Sequence, residues 1–383
     1  MTGANVTKST QKTYGFWGLV LRFINFILIM ALLFSYLAQW ISPQHFWPIA
    51  FFGIAYPLLA IVNTLFAIYW IIKRQRFFIY SLVSLLIGVG YFNRFYQFGS
   101  NTEYMDMNSP IKILSYNVHV FDQYHSQHGG KTIARDSIFD FLQKQNADVY
   151  CFQEFYNREN KPVQDNIKIL QKKLNTPYVY KAKYTAKSKY LYLVILSKNR
   201  IQNSGTISNE NQNSEISGVF ADLKTNSGIV RIYNVHLTSF QISNETNIFN
   251  QDYDFASQEG QEKVKENSLR MAKKFKSAFS ARAQQIQLLK THFAESPHPI
   301  IIAGDFNDTP SSYAYGQLRS GLKDSYKENG IGFGKTYNGF YPNFRIDYIL
   351  HDPKFVNYEF TTWPIPYSDH FPITATLSSQ YSE

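Results

Sequence analysis

Polar side chains follow several of the apolar segments of this chain at the point where each segment ends. Asn117 and Glu154 follow the first two such segments after residue 110, and Asp305 and Asn307 follow a later one. An isolated polar residue in this position is typical of a turn, but the repetition along the chain favours a common site. The other members of this set of strand-end residues are Asn234, His236, Asp347, Asp369 and His370.

The chemistry open to this set follows from its donor atoms. Carboxylates and carboxamides combined with two or three histidines suit a hard cation that prefers oxygen ligands. The sequence therefore predicts a site for Mg²⁺ or Mn²⁺. Zinc is a weaker interpretation, because the only thiol, that of Cys151, lies within an apolar strand pattern and is predicted to be buried. A single cysteine also excludes a disulfide framework.

The elements that carry these residues alternate in type from residue 111 onwards. The predicted strands are 111–116, 148–152, 190–196, 219–223, 229–236, 300–303, 345–350 and 373–377. Predicted helices cover 135–145, where Ile138, Phe139 and Leu142 share one face, and 258–293. Strands mixed with helices of this length indicate an α/β domain built on central sheets.

The first third of the chain differs in composition from the rest. The 383 residues carry a net charge of +10, yet residues 23–72 contain no Asp, Glu, Lys or Arg. Such a run is long enough for two membrane crossings, since each takes about 20 apolar residues. We predict a membrane anchor over 1–98 with transmembrane helices at about 15–40, 48–72 and 77–91, followed by a linker at 99–110 and a second domain at 111–378.

Loop charges predict the orientation of this anchor. Lys8 and Lys12 precede the first predicted helix and three cations lie at 73–76, whereas the loop between the first two helices has none. The positive-inside pattern places the N-terminus and the 73–76 loop in the cytoplasm. We therefore expect a multi-pass protein of the inner (cytoplasmic) membrane, with the bilayer as its partner and the second domain on the extracytoplasmic (periplasmic) side.

The order and spelling of the strand-end motifs resemble the endonuclease/exonuclease/phosphatase superfamily, which includes deoxyribonuclease I, over about residues 111–378. The most diagnostic pair is the GDFN motif at 304–307 with the SDH motif at 368–370. With its apolar N-terminal region, the chain looks like a membrane-anchored bacterial variant of that superfamily. The resemblance implies an α/β fold, a four-layer α/β/β/α sandwich of two packed mixed sheets, preceded here by three transmembrane helices. It also implies a catalytic site at one edge of the sheets.

The same resemblance implies a role for each matching residue. Glu154 would be the main metal carboxylate, with Asn117 beside it and Asp369 completing the metal-binding set. Asp305 and Asn307 would orient the attacking water and the scissile phosphate.

The matching histidines would act on the phosphate and on protons. His236 would donate to a phosphate oxygen as charge builds there, and His370 would act as general base or phosphate-binding acid, oriented by Asp347. Whether His370 or the aspartate of the GDFN motif is the base stays open. His119 stands where some nucleases of the superfamily have a metal-side aspartate, so their metal shell cannot be copied directly. We expect His119 and Asn234 to contact the substrate.

The implied activity is hydrolysis of a phosphoester by metal-assisted attack of water. Such hydrolysis needs a cation to neutralise the phosphate, a deprotonated water, and donors for the developing charge, and a set of Glu, Asp, Asn and His side chains supplies all three. The sequence favours a nuclease. The alternative is a hydrolase of phospholipid, sphingolipid or inositol-phosphate headgroups, since the anchor keeps the site near lipid. A remote alternative is a non-catalytic binding module, which predicts the loss of one of the expected residues, and none is lost.

Overall fold

The computed structural model describes residues 15–99, 109–122, 133–184, 190–208, 216–240, 257–339 and 344–379. The first of these ranges contains the helices α1 (Phe16–Leu37), α2 (Pro43–Phe46), α3 (Ile49–Ile72), α4 (Phe78–Ile87) and α5 (Val89–Phe95), followed by the short strand β1 (Gln97–Phe98).

Two of these helices, α1 and α3, are long and apolar enough to cross a membrane. They correspond to the predicted spans at 15–40 and 48–72. The predicted span at 77–91 is instead a pair of helices, α4 and α5, that makes a third crossing only if the two are taken together across a bend of 61°. The bend falls at Gly88, where a Cβ atom would overlap the Tyr36 hydroxyl of α1. The Tyr36 side chain of α1 therefore fills the space that a side chain at this position would occupy.

Hydrogen bonds between polar side chains join these helices internally. Asn25 of α1 is fully buried, and its Oδ1 accepts hydrogen bonds from Trp70 Nε1 in α3 (2.8 Å) and from Ser81 Oγ in α4 (3.1 Å). Asn63 Nδ2 of α3 donates to Leu28 O of α1 (3.1 Å). Buried polar groups that bond across apolar helices stabilise their packing, and that is the role we assign to them.

The rest of the chain is built on two six-stranded mixed sheets. Its strands are β2 (Ile111–Asn117), β3 (Val149–Tyr156), β4 (Tyr178–Lys183), β5 (Leu191–Ser197), β6 (Ile201–Ile207), β7 (Gly218–Thr225), β8 (Gly228–His236), β9 (Ile300–Asp305), β10 (Lys323–Asp324), β11 (Ile331–Gly332), β12 (Asp347–His351), β13 (Phe355–Thr362) and β14 (Ile373–Ser379). The first sheet has the order β13-β14-β2-β3-β5-β4 and the second the order β10-β12-β9-β8-β7-β6. The remaining strand, β11, pairs with β1 in a separate two-stranded sheet. Two pairs, β2 with β3 and β8 with β9, are parallel.

Helices cover the outer face of each sheet. These are α6 (Ile133–Gln145) and α7 (Asn166–Leu174) on the first sheet, and α8 (Gln258–Ala294) and α9 (Tyr313–Leu318) on the second, with the short α10 (Ser325–Asn329) near its edge. Side chains alternate along each strand, so Cys151 of β3 packs between the sheets while the adjacent Tyr150 and Phe152 pack under the helices. The predicted four-layer α/β/β/α sandwich of two packed mixed sheets is confirmed.

The N-terminal helices contact this sandwich directly. Ser311 Oγ donates to Gly53 O of α3 (2.6 Å), and Arg94 of α5 donates to Pro310 O (3.2 Å). Arg345 Nη2 donates to Arg94 O (3.0 Å) and also forms a buried ion pair with Asp324 (2.8 Å). The two parts are therefore packed against each other. Of the predicted linker at 99–110, residues 100–108 lie outside the described residues.

Candidate active site

The strand ladder brings three of the predicted residues side by side in the second sheet. His236 ends β8 and Asp305 ends the parallel strand β9, and the two are register partners. Asp347 begins the antiparallel strand β12 and is the partner of Asp305 on its other side. Because directly opposed residues share a face of a sheet, the three side chains form a row at one end of the sandwich.

The first sheet supplies its residues to the same end. Asn117 ends β2, and Glu154 lies in β3 beside it, where the pairing with β5 shifts register. Glu154 has a φ of +50°, a left-handed conformation that is uncommon for a residue other than glycine. The irregularity redirects this side chain out of the regular alternation of β3, and its Oε1 lies 3.4 Å from Asn117 Nδ2.

One carboxylate oxygen is the centre of the resulting cluster. Asp305 Oδ2 lies 3.0 Å from Asn117 Nδ2 and 3.7 Å from both His236 Nε2 and His370 Nε2. His236 Nε2 is also 3.7 Å from Glu154 Oε1. The predicted residues Asn117, Glu154, His236, Asp305, Asp347 and His370 are thus brought together from both sheets.

His370 is held in one orientation by its other ring nitrogen. Its Nδ1 is hydrogen-bonded to Asp347 Oδ2 at 3.0 Å, and its backbone N–H donates to Ser368 Oγ (3.2 Å). Ser368 Oγ in turn donates to Asn117 O, which ties the SDH loop to the end of β2. An imidazole fixed in this way presents its Nε2 to the cluster in a defined tautomer or as a cation.

Burial and charge act in opposite directions on the two central groups. Burial raises the pKa of the Asp305 carboxyl, His370 opposes that shift and Asp347 adds to it, so the pKa ends above its ordinary value. Burial alone would lower the pKa of His370, but Asp347 and Asp305 outweigh it and hold that pKa well above its ordinary value. Both groups therefore bind a proton more tightly than an ordinary aspartate or histidine side chain does.

Asn307 follows the cluster in a constrained turn. Its backbone N–H donates to Asp305 Oδ1 (2.7 Å), its Nδ2 donates to Leu237 O (2.8 Å), and its φ is +51°. The buried Arg282 of α8 donates to Asn307 O (2.7 Å) and pairs with Asp308 (2.7 Å). These bonds fix the direction of the Asn307 side chain beside Asp305.

Two further predicted residues lie together at the partly exposed rim. His119 Nδ1 is 3.6 Å from Asp369 Oδ1, and both side chains are about one-third exposed. His119 begins a short 3₁₀ turn in which His119, Val120 and Phe121 all have positive φ. A positive φ is rare for a β-branched residue such as Val120, so this turn is strained. It directs the chain away from β2 just beside the cluster.

Asn234 occupies a different place from the one predicted for a substrate contact. It is fully buried, its Nδ2 donates to Phe152 O and Val194 O (both 2.9 Å), and its Oδ1 accepts from Gln153 Nε2 (2.6 Å). Because Asn234 belongs to the second sheet and these partners to the first, its side chain ties the two sheets together. Its amide group has no remaining direction toward a substrate, so the structural role replaces the predicted one.

Three further residues support the cluster. The Tyr184 ring stacks on His236 with centroids 4.6 Å apart. Thr336 Oγ1 accepts the backbone N–H groups of Ile346 (2.9 Å) and Asp347 (3.1 Å), and Tyr337 forms a β-bridge with His370. Each of them acts through a contact that only the fold creates.

Aspartate and histidine side chains here are close enough to hold a metal ion. Ligand atoms of Asp305, Asp347 and His370 lie within 4.8 Å of one another. Because His370 Nδ1 is already bonded to Asp347, the oxygens best disposed for a hard cation are those of Glu154 and Asp305, with Asn117 between them.

Two protein-family models match the chain. A family model described as the Endonuclease/Exonuclease/phosphatase family matches residues 114–370, and one described as a domain of unknown function (DUF8431) matches residues 18–95. None of the curated proteins matches the chain.

Two solved structures illustrate the shared fold. An endonuclease/exonuclease/phosphatase from Bacteroides vulgatus is similar over 71% of this chain and 100% of that one, with 16% identity and a TM-score of 0.50. A family protein from Bacteroides thetaiotaomicron is similar over 72% and 100%, with 18% identity and a TM-score of 0.50. These likenesses show the fold, and the family model covers more than half of the chain. The chain belongs to the endonuclease/exonuclease/phosphatase family.

Proposed function

We propose that this protein is a divalent-metal-dependent phosphoester hydrolase held at a membrane by its N-terminal helices. Membership of the endonuclease/exonuclease/phosphatase family supports a hydrolase. The observation that carries the proposal is the convergence of Asn117, His236 and His370 on a single oxygen, Oδ2 of the buried Asp305.

The cluster fits a divalent cation and a phosphate. Glu154 and Asp305 are both within 3.7 Å of His236 Nε2, and among the described residues no Lys or Arg forms an ion pair with either carboxylate. His236 is only 2% exposed, yet neither of its ring nitrogens has a hydrogen-bond partner in the described part of the chain. Buried polar atoms are normally satisfied, so a ligand at this point would complete the site.

Glu154 would hold the cation, and Asn117 Nδ2, which donates to Glu154 Oε1 and Asp305 Oδ2, would keep the two carboxylates in place. When bound there, the cation would neutralise the phosphate and make the attacking water more acidic. The side chains then divide the remaining work. His236 Nε2 donates to a non-bridging phosphate oxygen as negative charge develops on it, and Asn307 orients the phosphate from the turn after Asp305.

Proton transfer is the task of Asp305 and His370. Asp305 Oδ2 accepts the proton of the attacking water, and His370 Nε2, 3.7 Å away, donates to the phosphate and stabilises that carboxylate. Asp347 keeps His370 in this orientation through the 3.0 Å bond to Nδ1. Asp369 and His119, at the rim, would contact the substrate or the outer ligands of the cation.

The arrangement of the helices supports the proposed topology. Contacts with the sandwich are made by Gln39 just after α1, by Gly53 in the first turns of α3 and by Arg94 near the end of α5, which lie on one side of the bundle. The 73–76 cations follow the opposite end of α3. By the positive-inside pattern, the 111–378 domain lies on the extracytoplasmic side of the inner membrane. Protease protection in spheroplasts tests this: cleavage beyond residue 150 is expected from outside, and protection there contradicts the topology.

The docking of the helices bears on the substrate. The sequence favours a nucleic-acid substrate. However, Ser311, whose Oγ donates to Gly53 O of α3, follows Asn307 of the proposed site by only four residues. Four residues span at most about 14 Å. With 24 residues, α3 is about 36 Å long and exceeds a hydrocarbon core of about 30 Å, so Gly53 near its start lies close to the headgroups. This favours a lipid headgroup phosphoester as the second candidate substrate.

One preparation tests the activity and separates the two substrates. The full chain, reconstituted in vesicles with Mg²⁺, is assayed for nicking of supercoiled plasmid and for release of phosphorylated headgroups from the vesicle lipid. His370→Ala and EDTA are the controls. Turnover that both controls remove supports the hydrolase, and the substrate that is turned over identifies the class. A folded protein that binds Mg²⁺ and cleaves neither these substrates nor a soluble phosphodiester would contradict the proposal.

A further inference from the structure

The two-stranded ribbon formed by β1 and β11 presents large apolar side chains to the outside of the protein. Phe98 pairs with Ile331, and the exposed fractions of Phe98, Ile331 and the adjacent Phe333 are 82%, 79% and 65%. Beyond residue 95, the described part of the chain exposes only six large apolar side chains, and half of them lie on this ribbon or directly next to it. The exposure is therefore concentrated in one patch, which marks an interaction surface.

The ribbon lacks the features of a strand edge that faces water. Neither 95–99 nor 330–334 contains Asp, Glu, Lys or Arg, although exposed edges are usually protected by charge. In the second segment, glycine alternates with Ile331 and Phe333. A Cβ atom at Gly334, where φ is +57°, would overlap the Tyr326 ring. Glycine thus lets the backbone lie against Tyr326 while the two apolar side chains point outwards.

The patch continues the apolar surface of the membrane helices. The Phe92 side chain of α5 is 49% exposed and its ring stacks on that of Tyr96, with centroids 6.1 Å apart. The Tyr96 ring contacts those of Phe98 and Phe333, at 5.0 and 4.9 Å. An unbroken row of aromatic rings therefore leads from the side of α5 onto the ribbon. Aromatic residues in such a position are typical of the membrane–water interface.

We propose that the β1–β11 ribbon inserts Phe98, Ile331 and Phe333 into the interfacial layer of a phospholipid bilayer, as a contact additional to the membrane-crossing helices. The continuity with α5 favours lipid over a second copy of the chain, because a protein partner would have to displace lipid from the adjoining helix surface. An uncharged patch of bulky apolar side chains suits the boundary between headgroups and acyl chains.

The insertion would set the height of the proposed active site above the bilayer. Tyr337, which bridges to His370, follows Phe333 by four residues, at most about 14 Å of chain. The ribbon and the Ser311 contact would thus hold the two sides of the cluster near the headgroups. The insertion itself needs no turnover, so its test is independent of the proposed hydrolase activity.

Depth measurement with an environment-sensitive fluorophore tests the proposal. The full chain with Phe333→Cys is labelled with nitrobenzoxadiazole and reconstituted in phosphatidylcholine vesicles. Val163→Cys is the matched control, because Val163 is 72% exposed and precedes α7, which packs on the first sheet. The native Cys151 is fully buried between the sheets and burial raises its pKa, so it stays unlabelled in the folded protein.

The two positions should respond differently to the two kinds of quencher. At position 333 we expect a blue-shifted emission, at least threefold stronger quenching by lipids with a nitroxide on the upper acyl chain than at position 163, and weaker quenching by aqueous iodide. Equal quenching of both positions by iodide would overturn the proposal. So would a blue-shifted label at position 333 that lipid nitroxides do not quench, since protein would then cover the ribbon.

Discussion

Replacement of Asp347 by asparagine tests how the site orients His370. The substitution keeps the volume of the side chain but removes the charge that accepts the hydrogen bond from His370 Nδ1 at 3.0 Å. A hydrogen bond to a charged group contributes about 1.5–3 kcal/mol. If the transition state loses that contribution, kcat falls roughly 10- to 150-fold, at about 1.4 kcal/mol per factor of ten. KM should change little, because Asp347 is buried behind His370 and does not face the substrate.

The pH dependence of kcat provides a readout that a merely structural role would not change. The Asp347 carboxylate helps to hold the pKa of His370 well above its ordinary value, so its removal lowers that pKa. The limb of the pH–rate profile that reports His370 should therefore move to lower pH in Asp347→Asn. Asp352→Asn, just beyond the other end of β12, is the matched control and should behave like the unaltered protein. A kcat within threefold of the unaltered value, with an unmoved profile, would refute this reasoning.

Three other substitutions test the metal site, the contact between the two parts, and the close approach of β8 and β9. Glu154→Gln removes a proposed metal carboxylate and should raise the Mg²⁺ concentration needed for half-maximal activity about tenfold or more. An unchanged dependence of activity on Mg²⁺ concentration would contradict the assignment. Arg345→Ala leaves the Asp324 carboxylate buried without its partner, so it should lower the free energy of unfolding by about 3–5 kcal/mol in denaturant titrations. A loss below about 1 kcal/mol would show that the ion pair is dispensable. Gly304→Ala places a Cβ atom against Val235 O at a φ of +148° and should lower both the melting temperature and kcat, and an unaffected variant would show that the strands can move apart.

The parts of the fold that the sequence predicted are those with a strong local pattern. Strands β2, β3, β8 and β9 are rich in apolar residues because both of their faces are largely buried, and each appears close to its predicted position. Strands β4 and β6 were not predicted, because they lie at sheet edges where most side chains are partly exposed and no apolar run exists. Helix α7 did carry a signal, in the Asp165 cap and the spacing of Ile167, Leu170 and Leu174, that the sequence analysis did not use.

The candidate site divides along the same line. Residues that stand at the ends of apolar strands could be identified because the motif and the strand lie next to each other in the sequence. The supporting contacts could not, since Tyr184 on His236 and Ser311 on Gly53 join residues far apart in the chain. Asn234 shows the opposite error: it stands at a strand end like the others, but its side chain turns between the sheets.

The most direct test of the account is the dependence of phosphodiester hydrolysis on Asp305, the group on which the cluster converges. The rate at which the full chain hydrolyses bis(p-nitrophenyl) phosphate is measured with Mg²⁺, with EDTA, and in the variant Asp305→Asn, whose folding is checked by circular dichroism. We predict Mg²⁺-dependent hydrolysis that falls at least 100-fold in the folded variant. A variant that retains the rate of the unaltered protein, or a rate that EDTA does not change, would contradict it.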